Sequence, residues 1–201
     1  MVYSPKNMEI CFATNNKKKL EEVRAALEGT SITILSLEDI GCREELEETG
    51  DTLDHNAFQK ARYVASHYQV DCFADDTGLE VDALDGEPGV YSGRYAGEPR
   101  SDVRNVQLLL DKLHGKENRT ARFRTVIALI LEGKEYKFEG KAEGSITDIQ
   151  IGSGGFGYDP IFQPEGYDKT FAELTMEEKN AISHRGRAVR QLISFLKGED
   201  A

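Results

Sequence analysis

Cysteine is scarce in this chain, with only Cys11, Cys42 and Cys72 present. Three cysteines form neither an even disulfide framework nor a CxxC pair, so a disulfide scaffold and a paired-cysteine zinc site are both excluded. Basic residues are outnumbered as well: 25 Lys+Arg stand against 36 Asp+Glu, a net charge of −11. With a pI near 4.9, the chain has no broad basic face for nucleic acid or an anionic membrane. Any anionic ligand must therefore be held by a local cationic cluster or a bound metal. Long apolar runs are missing too. The longest, Val126 to Leu131, has six residues, far below the ~20 that a membrane helix needs. Met1-Val-Tyr-Ser-Pro-Lys6 lacks the apolar stretch of a secretory leader. The expectation is a cytoplasmic protein with no membrane or nucleic-acid partner.

Several motifs are also absent. No GxxxxGK[ST] occurs, which removes the P-loop NTPases. GxSxG and HExxH are missing, so acyl transfer and zinc hydrolysis have no support. Asp75-Asp76-Thr77-Gly78 is not the DxDGT pattern of a phosphatase.

What is present reads as interleaved strands and helices. Met8 to Ala13 predicts a buried strand, followed by N-cap residues and a helix through Leu20, Val23 and Leu27 that stops at Gly29. Ser31 to Leu35 predicts a second strand and Leu53 to Tyr68 a second helix. Cys72-Phe-Ala74 reads as a short strand ending at Asp75-Asp76, with a separate strand over Leu79 to Leu84. A third helix ends at Gly115, and Arg122–Leu131 pairs with Tyr136–Ile146 as a hairpin around Gly133. Thr175 to Glu178 forms a capping box that opens a terminal helix through Leu192 and Leu196. The predicted class is α/β: one domain with a central mixed, elongated sheet flanked by helices.

Four constellations could carry chemistry. Thr14-Asn15-Asn16-Lys17-Lys18-Lys19 joins a strand to a helix start, where N–H groups and the dipole favour phosphate. Lysines oppose that dipole, which points to an anionic partner. An ordinary N-cap with a solvated basic turn has the same residues. The second constellation is acidic: Glu44-Glu45-Leu46-Glu47-Glu48, then Asp75-Asp76. One or two carboxylates with phosphates and waters is how Mg²⁺ is held. Taken alone, the glutamate run reads more simply as a solvated charged surface. Adjacent Asp75 and Asp76 must point opposite ways in an extended chain.

The third is Gly152-Ser-Gly-Gly-Phe156-Gly157-Tyr158-Asp159-Pro160. Its formal GxGxxG is followed by Pro160 and Phe162 where a dinucleotide fold needs a helix. It reads instead as a loop offering Phe156 and Tyr158 for stacking and Asp159 as an acceptor, or as a tight turn with a core aromatic. The fourth is Lys179 to Gly186, in which His184 and Arg185 make an anion or keto-oxygen site at a helix start.

In this order the segments resemble the inosine triphosphate pyrophosphatase family, from about Ile10 to Leu196. The resemblance rests on Thr14-Asn-Asn16…Lys19, Glu47-Glu-Thr-Gly50, Asn56-Ala57…Lys60-Ala61, Ala74-Asp-Asp76-Thr-Gly-Leu79 and Pro88-Gly-Val-Tyr-Ser92. Most specific are Gly155-Phe-Gly-Tyr-Asp-Pro160 and Ser183-His-Arg-Gly186. Departures are Asn15 where the family often has Gly, His55 where it commonly has Glu, and Thr77 for Ser. The resemblance implies two lobes with the active site in a cleft between them, and a homodimer. It also implies Mg²⁺-dependent hydrolysis of non-standard purine nucleoside triphosphates to the monophosphate and pyrophosphate. Glu47 and Asp76 would bind Mg²⁺, with Asp76 as the base. Thr14, Asn15, Asn16, Lys17, Lys18, Lys19, Thr77 and Lys179 would hold phosphate, and Phe156, Gly157, Tyr158, Asp159, His184 and Arg185 the base. The alternatives are a pyrophosphatase for other modified nucleotides and a silent nucleotide sensor. A sensor would tolerate loss of Glu47 and Asp76, and both are present.

Overall fold

The computed structural model describes residues 7–199. The N-terminal stretch read above as lacking a leader lies outside them. The elements are β1 (Met8–Phe12), α1 (Lys17–Ala26), β2 (Ile32–Leu35), α2 (Leu53–Tyr68), β3 (Cys72–Val81), β4 (Pro88–Gly89) and α3 (Asp102–Leu113). Then come β5 (Thr120–Leu131), β6 (Lys134–Ile146), β7 (Phe162–Pro164), α4 (Met176–Ile182) and α5 (His184–Leu196). The strands form one mixed sheet in the order β2-β1-β3-β5-β6-β7, with β4 beside β3. β1 runs parallel to β2 and β3, whereas β4 is antiparallel to β3 and β7 to β6. The α/β expectation holds.

The chain forms two compact units, in keeping with the two-lobe expectation. The first comprises residues up to Asp76, Val126–Phe138 and Val189 onward. The second comprises Thr77–Thr125 and Glu139–Ala188. In the first, β1 and β3 are buried on both faces, so Ile10, Cys11 and Phe12 and then Cys72, Phe73 and Ala74 all enter the core, with Ala57, Ala61 and Val64 of α2. Phe12 and Phe73, register partners, stack at 4.6 Å. The small residues of α2 let the helix sit close to the sheet. Thr52 caps α2 by accepting from His55 N at 3.1 Å, a bond of about 1 kcal/mol. In the second unit Leu79, Val106, Leu109, Leu113, Phe123, Phe162 and Phe171 close the core.

Helix and hairpin positions follow the sequence closely. The turn joining β5 to β6 has positive φ at both Glu132 (49°) and Gly133 (76°), the two-residue geometry that matches strand twist. Two expectations are corrected. β3 is one ten-residue strand, so Asp75 and Asp76 lie inside it and not beyond its carboxyl end. Polar residues survive mid-strand because buried cations meet them there, as described below. The terminal helix is also broken. Ser183 takes an extended conformation (ψ 158°), closes α4 and begins α5. Its Oγ accepts from Gly186 N at 3.0 Å, so a serine in mid-pattern acts as an N-cap.

Candidate active site

In the first unit the site is built on β3, α1 and α2. Asp75 is 1% exposed and Asp76 5% exposed. Burying two adjacent carboxylates is costly unless they are compensated. Lys19, at the start of α1, donates from Nζ to Asp75 Oδ1 at 3.0 Å. Lys60, buried on α2, donates to the Asp75 carbonyl oxygen at 2.5 Å and stands 3.9 Å from Glu48. Burial pushes the Asp76 carboxyl up to about 6, against the pull of Lys60 and Lys19, with Glu48 and Asp75 adding to the rise. A carboxylate that burial disfavours as an anion gains most from a cation or from a proton it can hold.

The basic run is less uniform than its sequence. Asn16 Oδ1 accepts from Lys18 N (3.0 Å) and Lys19 N (3.2 Å), and Thr14 Oγ1 accepts from Asn16 N (3.1 Å). These amides are thus already engaged, and side-chain ammonium groups carry the positive charge at this helix end. Lys17 is exposed, and Lys18 is exposed and leans toward Glu21 at 3.7 Å. Only Lys19 reaches β3. Glu47 is exposed on the acidic loop, whereas Glu48 is the glutamate near Lys60.

In the second unit the glycine loop, α4 and α5 converge. Asp159 Oδ2 accepts from Lys179 Nζ at 2.6 Å and from Phe156 N at 3.1 Å. Gly155 must be glycine: its φ is +67° and a Cβ there would overlap the Asp159 carboxylate. Gly157 N donates to Asp102 Oδ2 at 2.8 Å. The half-buried Phe156 ring has Lys179 Nζ 4.8 Å and the Arg185 guanidinium 5.6 Å from its centroid. Both cations are almost wholly buried. Arg185 Nη2 also donates to Thr77 Oγ1 at 3.0 Å, and Thr77 Oγ1 lies 2.8 Å from Thr125 Oγ1. His184 begins α5, with its ring stacked on Phe123 at 4.5 Å.

One expectation for this loop is corrected. Tyr158 is no stacking platform: it is 5% exposed and its hydroxyl donates to the Ser92 carbonyl at 2.7 Å. The loop offers Phe156 alone.

Sequence reasoning assigned no role to Lys60 or Asn56, and it named Glu48 only within the acidic run. Asn56 and Lys60 are both buried, four residues apart on the otherwise small, apolar face of α2. Buried polar residues at helical spacing beside Ala57 and Ala61 were the available signal.

No group of three or more His, Cys, Asp or Glu among the described residues is placed to hold a metal by itself. The oxygen donors of Asp76 and the acidic loop still suit a hard cation brought partly by substrate phosphates, since Mg²⁺ takes few protein ligands. No helix among the described residues is long and apolar enough to cross a membrane.

Comparison with known proteins agrees with the motif order. A model of the Ham1 family matches residues 10–195. A Flavobacterium johnsoniae protein named dITP/XTP pyrophosphatase is 59% identical, covering 94% of this chain and 98% of its own length. The solved structure of the Staphylococcus aureus Ham1 protein aligns with a TM-score of 0.84 at 40% identity, over 96% of this chain and 100% of that one. A HAM1 protein from Coxiella burnetii aligns with a TM-score of 0.86 at 39% identity, over 95% of this chain and 99% of its own. Both charged clusters and the strands and helices that carry them fall within the matched span, and the chain belongs to the Ham1 family.

Proposed function

We propose that this chain is a single nucleoside triphosphate pyrophosphatase domain. It hydrolyses non-standard purine nucleoside triphosphates (ITP, dITP, XTP) to the monophosphate and pyrophosphate, which clears them from the nucleotide pool. The observation that carries this reading is the Phe156 ring with the buried Arg185 guanidinium against it. An aromatic face stacks on any base, and cationic donors beside it select for what the base edge presents. Inosine and xanthosine offer a 6-keto acceptor, whereas adenine turns an N–H₂ donor toward the same place. A donor-lined edge meeting adenine leaves buried groups unpaired, which can discriminate by up to ~10⁴–10⁵-fold. Phe156, Gly157, Asp159, His184 and Arg185 are assigned to the base.

The names of the relatives support this substrate class. The first-unit cluster supplies the rest. Lys19, with Thr14 to Asn16, Lys17 and Lys18, is assigned to the phosphates together with Thr77 and Lys179. Glu47 and Asp76 would hold Mg²⁺, which supplies charge neutralisation of the phosphates when bound. Asp76 orients the attacking water and takes its proton. The water oxygen bonds to the α-phosphorus while the bond from that phosphorus to the α–β bridging oxygen breaks. Pyrophosphate leaves with that electron pair. The buried, reduced state of Cys11, Cys42 and Cys72 suits a reducing compartment, so we place the protein in the cytoplasm, as a homodimer by its resemblance.

A substrate panel scored for pyrophosphate against orthophosphate is the test. Pyrophosphate from ITP, dITP and XTP, abolished by EDTA and restored by Mg²⁺, is expected. Orthophosphate release, a preference for pyrimidine nucleotides, or undiminished turnover in EDTA overturns the reading. Sedimentation equilibrium checks the dimer.

A further inference from the structure

Between Glu44 and Gly50 the chain forms no helix or strand. Four glutamates, Glu44, Glu45, Glu47 and Glu48, crowd this stretch and repel one another. Side chains from elsewhere in the same unit hold it in place. The Asn15 carboxamide donates from Nδ2 to the Glu44 carbonyl at 3.2 Å, and its Oδ1 accepts from Leu46 N at 2.9 Å. This two-point grip copies the way a neighbouring strand would pair with the loop. Beyond the central glutamates, Gln59 of α2 does the same. Its Oε1 accepts from Thr49 N at 3.0 Å, and its Nε2 donates to Thr49 Oγ1 at 3.0 Å. Two carboxamides thus bracket Glu47 and Glu48, one on each side.

We propose that the Asn15 and Gln59 side chains are positioning groups, which fix the Glu47–Glu48 pair for a cation-bound triphosphate. The inference rests on the function proposed above. The choice of side chain supports it. Lysine or arginine would also grip an acidic loop, but would neutralise the carboxylates that the cation requires. A neutral amide fixes the backbone and leaves the charge in place. Asn15 stands between Thr14 and Asn16, so its grip ties the loop assigned to phosphate to the loop assigned to the cation. The Asn15–Glu44 and Gln59–Thr49 bonds are exposed and the Asn15–Leu46 bond is half-buried, so losing one leaves the fold intact.

The test uses the full chain with Asn15→Ala, Gln59→Ala and the double substitution. In the metal-free protein, the Leu46 and Thr49 amides should exchange slowly by NMR although they lie in a loop. Asn15→Ala should release Leu46 selectively, and Gln59→Ala should release Thr49. Titration calorimetry of Mg²⁺ with pyrophosphate should then show affinity falling by about 10-fold per substitution, the usual cost of removing a group that orients a metal ligand. In ITP hydrolysis by Gln59→Ala, a residue outside the substrate set, the half-saturating Mg²⁺ concentration should rise in parallel, with kcat at saturating Mg²⁺ retained. For Gln59→Ala, a loss of kcat at every Mg²⁺ concentration with an unchanged half-saturation point would make the grip an ordinary structural one and overturn the inference. Fast exchange of both amides in the unaltered protein would overturn it without touching the proposed function. Absence of pyrophosphate release from the unaltered protein would overturn the function, and this inference with it.

Discussion

In the unit built on β1 and α2, Lys19 and Lys60 both meet Asp75 inside a strand. In the unit built on α3 and α4, Lys179 and Arg185 both lie over the ring of Phe156. The first cluster balances charge against charge. Its members are two ammonium groups, one donating to the Asp75 carboxylate and one to its carbonyl oxygen, and an ammonium presents three rotatable donors with no planar fork to orient. The second cluster adds shape. A planar ring, a 2.6 Å ion pair to Asp159 and a hydrogen bond to Thr77 hold each cation in one orientation. Compact ammonium charge suits a polyphosphate with its cation, and the planar Arg185 guanidinium beside a ring suits one edge of a base.

The comparison breaks most severely at Asp76. Asp76→Asn should lower kcat for pyrophosphate release from ITP by ~10²–10⁴-fold, as loss of a positioned base does. Retention of more than a tenth of the rate would remove Asp76 from that role. Next in size is the buried ion pair of the second cluster. Lys179→Met leaves the Asp159 carboxylate buried without its cation and should destabilise the protein by about 3–5 kcal/mol in denaturant unfolding. An exposed first-unit lysine such as Lys18 should show almost nothing on the same substitution.

Asp76 also gives a pH signature in the metal-free protein. Its folded pKa of about 6 lies above the ordinary 3.8. Below 3.8 both folded and unfolded states hold the proton, so no difference arises. As pH rises from 3.8 to about 6 the unfolded chain ionises first, and stability falls by up to about 3 kcal/mol. Thermal unfolding of Asp76→Asn should lack that decline. Parallel pH profiles for the two proteins would refute the burial argument.

Smaller effects separate the two clusters by substrate. Arg185→Ala should cost ITP about 1–3 kcal/mol in kcat/KM, the worth of a hydrogen bond to a charged donor, and change the slower turnover of ATP much less. Lys19→Ala should lower both substrates in the same proportion. If Arg185→Ala weakened both equally, it would act on phosphate, and selectivity would rest with the backbone near Phe156 to Asp159. The smallest effect concerns the thiols. Burial pushes Cys11 and Cys72 up to about 12, so neither should react with a thiol reagent at pH 8 until the protein unfolds.

Local pattern was enough to place much of this molecule. Helix α2 ends where its apolar spacing ends, and the β5–β6 turn sits on Gly133 because two positive φ values are needed there. The motif order carried the family. Where the reading went wrong, the error was tertiary. Asp75 and Asp76 look like a strand's end because carboxylates rarely lie mid-strand. Lys60, fifteen residues away, supplies the compensation that keeps them inside. Tyr158 and Phe156 look alike between glycines, and only the Ser92 carbonyl waiting for one hydroxyl separates core from platform.

The sequence by itself determined the alternation of strands and helices, the caps and turns, and which residues could bear charge. Those properties depend on neighbours within a few positions, which a single chain displays directly. The tertiary structure alone decided which charges meet. Lys19 of three lysines reaches Asp75, Glu48 and not Glu47 stands by Lys60, and Asn15 grips a loop some thirty residues on. Such pairings depend on distance in space and on local burial, and only the packed chain fixes those.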